Sequence, residues 1–174
     1  MGITIDYGID LGTTNSAIAR QDGTKTRLYT GRDGSVLLPS AVFVDAGGAI
    51  VVGSAARSGA SSHPADTATE FKRLMGTSTP VKLPAVNLTM TPEECSAEVL
   101  RTLFGYLPEE IRGDGDTGTV ITVPAAFNQM QKDSTMSAAD AAGLGRVAVA
   151  MRAGDQEQQA LAHVAEARRV ADHR

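Results

Sequence analysis

The sequence has no tryptophan, a single cysteine, and aromatic residues at only 4% of its 174 positions. With Ala and Gly abundant in their place, the composition favours helices packed closely on a sheet over an aromatic binding platform. The lone thiol, Cys95, excludes an intrachain disulfide and points to a reducing compartment. An excess of positive charge is missing too: 16 basic residues face 20 acidic ones, for a net charge of −4. That balance argues against nucleic acid and against a membrane surface as partners, since both need clustered Lys and Arg. No apolar run approaches the roughly 20 residues that a membrane span requires. The opening Met1-Gly2-Ile3-Thr4-Ile5-Asp6 lacks a basic region followed by an apolar block, so no secretory leader is visible and a cytoplasmic chain is expected. What remains is a chain of domain size, long enough to bury a core, without internal repeats.

Its most informative stretch is Gly8-Ile9-Asp10-Leu11-Gly12-Thr13-Thr14-Asn15-Ser16. Upstream, Ile3, Ile5, Tyr7, Ile9 and Leu11 alternate with Thr4, Asp6, Gly8 and Asp10, the period of a strand with one row of side chains on each face. Asp10 then falls at the strand's carboxyl end, on the row opposite the apolar one. Gly12 permits a tight turn that brings backbone N–H groups toward an anion, and Thr13 and Thr14 add hydroxyls. A carboxylate beside the turn suits phosphate carried with Mg2+, whose water shell donates to carboxylates. An ordinary β-hairpin is the competing reading, because Gly-Thr-Thr-Asn is good turn chemistry by itself.

Further along, 16–20 and 26–29 read as strands joined by an Asp-Gly turn, and 36–38, 41–44 and 49–52 as short strands of a small inserted subdomain. A short helix is predicted over 53–59 and one more turn over 66–70. His63 lacks a ligand partner at metal-binding spacing and reads as a loop residue. By composition alone Lys72-Arg73 belongs to a solvated face. Thr91-Pro92-Glu93-Glu94 opens a helix with a capping box, carrying Val99, Leu100, Leu103 and Leu107 on one face until Pro108 stops it. Cys95 is a small core residue of that helix. Thr119–Val123 is a strand buried on both faces, Asn128 caps a helix ending at Gly143, 147–150 is a last strand, and a final amphipathic helix carries Ala160, Leu161, Val164, Ala165 and Val170. Strands first and strand–helix units after them fit a mixed five-stranded sheet with helices on its faces, as in ribonuclease-H-like lobes.

GIDLGTTNS, Leu38-Pro39-Ser40, Phe71-Lys72-Arg73-Leu74-Met75-Gly76 and VPAAFNQMQKDSTMSAADAAGL occur in order. Together they make residues 3–145 resemble the amino-terminal lobe of the heat-shock protein 70 (DnaK-like) chaperone ATPase, an actin-like fold. The resemblance implies a core lobe of residues 1–30 and 117–174 interrupted by an inserted α+β subdomain over 31–116. It also implies ATP and Mg2+ as cofactors, with Gly12, Thr13, Thr14 and Asn15 around the β- and γ-phosphates. Asp10 would order the Mg2+ water shell, and Lys72 would match the catalytic lysine that contacts the γ-phosphate and positions water. Pro124 and Lys132 would match positions relaying nucleotide state to the substrate-binding half, with lysine standing where arginine is usual.

The same resemblance implies ATP or ADP, co-chaperones and unfolded clients as partners of the full-length family. The sequence departs from it after Ala150. A Glu-Pro-Thr motif gives way to Met151-Arg152-Ala153-Gly154-Asp155-Gln156-Glu157, where Asp155 or Glu157 could stand in for the family's glutamate. The second phosphate motif, second lobe and peptide-binding domain do not occur before Arg174. The expectation is therefore weak nucleotide binding without turnover, unless a separate second lobe completes the site. Alternatives are a non-catalytic interaction module and a truncated, degenerate family member.

Overall fold

The computed structural model of the chain describes residues 5–22, 25–112, 118–124 and 126–151. Strand β1 (Ile5–Asp10) leads through the turn at 11–14 into β2 (Asn15–Asp22) and β3 (Lys25–Leu28), paired antiparallel in succession. Next come β4 (Leu38–Pro39), β5 (Ala41–Val44), β6 (Ile50–Val52), the short helix α1 (Ser54–Gly59) and β7 (Thr67–Thr69). The hairpin of β8 (Val81–Leu83) and β9 (Leu88–Met90) precedes helix α2 (Pro92–Phe104). Strand β10 (Gly118–Val123), helix α3 (Gln129–Ala142) and strand β11 (Arg146–Met151) follow.

The principal sheet runs β11-β10-β1-β2-β3, with β4 attached to β2 as a two-residue rung. Its first three strands are parallel and the other two antiparallel, which is the mixed five-stranded sheet expected. Strand β10 is buried at every position, as its β-branched run requires of a strand covered on both faces. Strand β1 lies between β10 and β2, and Tyr7 through Asp10 are all buried, Asp10 on the row opposite Ile9.

Both long helices begin with reciprocal caps. Thr91 accepts from the Glu94 amide while Glu94 accepts from the Thr91 amide, and Asn128 and Gln131 do the same for α3. Gly143 ends α3 in the left-handed conformation at φ 74°. Helix α2 packs against α3, and its fully buried Val99, Leu100 and Leu103 join Ile9, Ile18 and Ile121 in one core. Each such side chain contributes about 1.5–3 kcal/mol by leaving water.

Two local expectations are corrected. The turn predicted over 66–70 is a 3-10 turn at Pro64–Asp66 followed by strand β7, because Thr67, Ala68 and Thr69 fit the open edge of β5. The helix predicted to run to Pro108 ends at Phe104, although Leu107 still reaches the core from beyond it. The predicted final helix lies outside the described residues. Among those described, no helix is long and apolar enough to cross a membrane.

Candidate functional site

Parallel strands β1 and β10 present their carboxyl ends at the same edge of the sheet, where crevices of open α/β sheets hold ligands. Asp10 closes β1 there, 3% exposed, and its Oδ1 accepts a hydrogen bond from Thr122 Oγ1 at 3.0 Å. A buried carboxylate is costly unless hydrogen bonds or a cation balance it. Thr122→Val keeps the shape and removes that donor, so it should cost about 1.5–3 kcal/mol in urea unfolding. Thr119 Oγ1, also buried in β10, has no partner among the described residues, so Thr119→Val should be neutral or stabilising. Equal costs for the two would refute the Asp10 bond.

The turn after Asp10 is held from beneath. The Gly12 amide donates to Ser16 Oγ at 3.2 Å, Ser40 Oγ donates to the Gly12 carbonyl at 2.8 Å, and the two serine oxygens lie 2.9 Å apart. The Ser40 amide donates to the Thr14 carbonyl at 2.9 Å. From α1, the Arg57 guanidinium donates to that same carbonyl and to Asn15 Oδ1, the latter at 3.0 Å. Thr13 is left half-buried and Thr14 exposed. Gly12 is not among the described glycines with positive φ, so these hydrogen bonds, rather than a left-handed glycine, tighten the turn. Its own amide is committed to Ser16.

Lys72 sits in a 3-10 turn, Phe71–Leu74, and is 4% exposed. The solvated face that composition suggests is overturned, because the neighbouring Phe71 and Met75 are core anchors that carry the turn inward. Ser96 of α2 touches Met75 Sδ, and the Gly76 amide donates to Ser134 Oγ of α3, docking the segment between the two helices. The Lys72 ammonium lies 5.4 Å from the centre of the Phe127 ring, in the loop that follows β10, within cation–π range. That loop leaves the same sheet edge at which Asp10 and the turn stand.

Pro124 is half-buried and its carbonyl accepts from the Phe127 amide. Lys132 is half-buried in the first turn of α3. Asp155 and Glu157 lie outside the described residues. Sequence reasoning missed Thr122, Arg57, Phe127 and the serine pair; Ser16 and Ser40 stood inside quoted motifs, whereas nothing in sequence connects Arg57 to a turn more than 40 residues earlier.

No group of three or more His, Cys, Asp or Glu side chains that could hold a metal ion occurs among the described residues. One buried carboxylate beside a turn displaying threonines suits a hydrated divalent cation beside an anion rather than a metal cage. Separately, a concavity of about 720 Å3 opens against β4 and the end of α2, lined in part by Tyr106. Burial first, and then the Asp33 carboxylate, push the Tyr106 phenol above its ordinary value, which leaves it protonated at neutral pH.

Comparison with known proteins finds relatives of this sequence. Residues 6–150 match the model of the family described as Hsp70 protein. The chain is 40% identical over 139 residues to the chaperone protein DnaK of Mycoplasmoides gallisepticum, covering 79% of this chain and 23% of that protein. It is 36% and 37% identical over 154 residues to the chaperone protein HscA homologs of Bordetella petrii and Bordetella pertussis, covering 79% of this chain and 25% of each. The chain thus spans about a quarter of the length of these curated relatives.

Proposed function

This chain belongs to the Hsp70 protein family, and from that premise we propose that it is the ATP-binding lobe of a chaperone ATPase working in the cytoplasm. In this reading Thr13, Thr14 and Asn15 hold the β- and γ-phosphates, with Gly12 giving the turn its shape. Asp10 orders the water shell of Mg2+, and Lys72 contacts the γ-phosphate and orients the attacking water. Bound Mg-ATP supplies the phosphoanhydride that is split. Loose phosphoryl-transfer transition states gain most from fixed cations and an oriented nucleophile, and a lysine held in a packed turn meets that need without reorganising. Pro124, at the start of the loop carrying Phe127, and Lys132, in the first turn of the helix after it, pass nucleotide state toward the substrate-binding half, where co-chaperones and unfolded clients act. Residues 1–30 and 117–174 form the core lobe and 31–116 the insertion.

What supports this reading is that Asp10 and the tied-back turn stand at the carboxyl ends of β1 and β10, and that the buried Lys72 lies against Phe127 in the loop that follows β10. Actin-like sites close between two lobes, and affinity depends on enclosing the ligand. The chain by itself should therefore bind Mg-ATP with a Kd in the millimolar range at best, without turnover. Supplied with a second lobe from a full-length relative, it should hydrolyse ATP, and Lys72→Ala should abolish that activity. Calorimetry showing micromolar binding by the chain alone would contradict the divided site. Hydrolysis indifferent to Lys72→Ala would refute the role of the lysine, and no nucleotide response in either setting would favour a non-catalytic interaction module.

A further inference from the structure

We propose that Ser16 and Ser40 are positioning residues whose closed ring of hydrogen bonds through Gly12 sets which turn amides face the phosphates. The proposal rests on the reading of the turn given above. A carbonyl can only accept, so the 2.8 Å contact from Ser40 Oγ to the Gly12 carbonyl assigns the Ser40 proton. Ser40 must then accept from Ser16 across their 2.9 Å contact, and Ser16 in turn accepts from the Gly12 amide. Every hydrogen in the ring has one destination. Ser16 is 1% exposed and Ser40 2%, so water does not compete for these bonds.

The consequence follows from peptide geometry. In a planar trans peptide the carbonyl of one residue and the amide of the next point in opposite directions. No cis peptide occurs among the described residues. Pulling the Gly12 carbonyl down onto Ser40 therefore turns the Thr13 amide up, away from the ring. The Thr14 carbonyl is held by the buried Ser40 amide and, at the surface, by Arg57, which turns the Asn15 amide away from Ser40 in the same way. Ser40 thus holds two of the turn's carbonyls, one through its hydroxyl and one through its backbone. The outward donors are fixed before any ligand arrives, so binding pays no ordering cost at those peptides.

The test uses the full chain labelled with 15N. In free wild type, the Gly12 amide should exchange slowly with solvent. Ser40→Ala should move the Thr13 amide resonance, and Ser16→Ala should speed Gly12 exchange by about tenfold, the scale of one lost buried hydrogen bond. The double variant should add little to either single change, because one break opens the ring. Ser40→Thr, which restores the hydroxyl, should return the Thr13 resonance toward wild type. In titrations with Mg-ATP and with inorganic triphosphate, made with a second lobe from a full-length relative supplied, Ser40→Ala should bind about tenfold more weakly than wild type while its melting temperature identifies any general loss of stability.

An unmoved Thr13 resonance in Ser40→Ala, or unchanged affinity for both probes, would overturn the proposal. Should Ser40→Ala not fold, Ser16→Ala carries the test through Gly12 exchange. If wild type binds neither probe even with the second lobe supplied, the phosphate reading of the turn fails, and the ligand-free Gly12 and Thr13 signals still decide whether the ring orients it.

Discussion

Gly76→Ala should destabilise the protein by about 2–4 kcal/mol, the sum of left-handed strain and a collision with the backbone of α3. Gly76 has φ +75°, and a Cβ built on it would stand 3.0 Å from the backbone nitrogen of Gln131 and 3.2 Å from its Cα. Those atoms belong to the capped first turn of α3 and cannot yield as a flexible side chain would. Relief by moving segment 71–76 would sacrifice the bond from the Gly76 amide to Ser134 and carry Lys72 away from Phe127. Gly34 provides the control, with the same φ of +75° and nothing within 4 Å of its would-be Cβ. Gly34→Ala should therefore show the conformational strain alone, about 1 kcal/mol. Urea unfolding of the two variants separates strain from collision, and equal losses would mean that the lysine segment is not pressed onto α3.

Raising the pH above 9 should weaken the fold by about 1.4 kcal/mol per pH unit through Cys95 alone. This thiol is fully buried in the first turn and a half of α2. Burial first, then the carboxylates of Glu94 and Glu98, push it from 9.0 up to about 12. Between those values the unfolded chain releases the proton and the folded chain keeps it. The unfolded state then binds fewer protons, so stability is complete below pH 9 and declines as pH rises toward 12. Urea midpoints measured from pH 8 to pH 10.5 should fall more steeply for wild type than for Cys95→Ala, whose packing loss does not depend on pH. The same burial should leave the thiol inert to alkylating reagents until the chain unfolds. Labelling of the native protein at the rate of a free thiol would contradict both expectations.

Much of the fold was legible because its signals are local. The β-branched run Thr119–Val123, the boxes opened by Thr91 and Asn128, and the glycine at 143 each act within a few residues, and each stands where those patterns imply. Less legible were segments whose state depends on a distant partner. Thr67–Thr69 became a strand because β5 offered an open edge, and α2 stopped four residues before the proline expected to end it.

The candidate site divides along the same line. Consecutive residues made the turn and its carboxylate legible, since Asp10 through Ser16 lie side by side and their chemistry can be read in order, and four such stretches in sequence carried the ancestry of the chain. Only the packed chain decided that Lys72 leaves solvent, that Thr122 balances Asp10, and that Ser40 and Arg57 brace the turn. Those bonds join residues 24 to 112 positions apart. A hydrogen bond reports a distance in space, and until the sheet brings such residues together no local pattern encodes it.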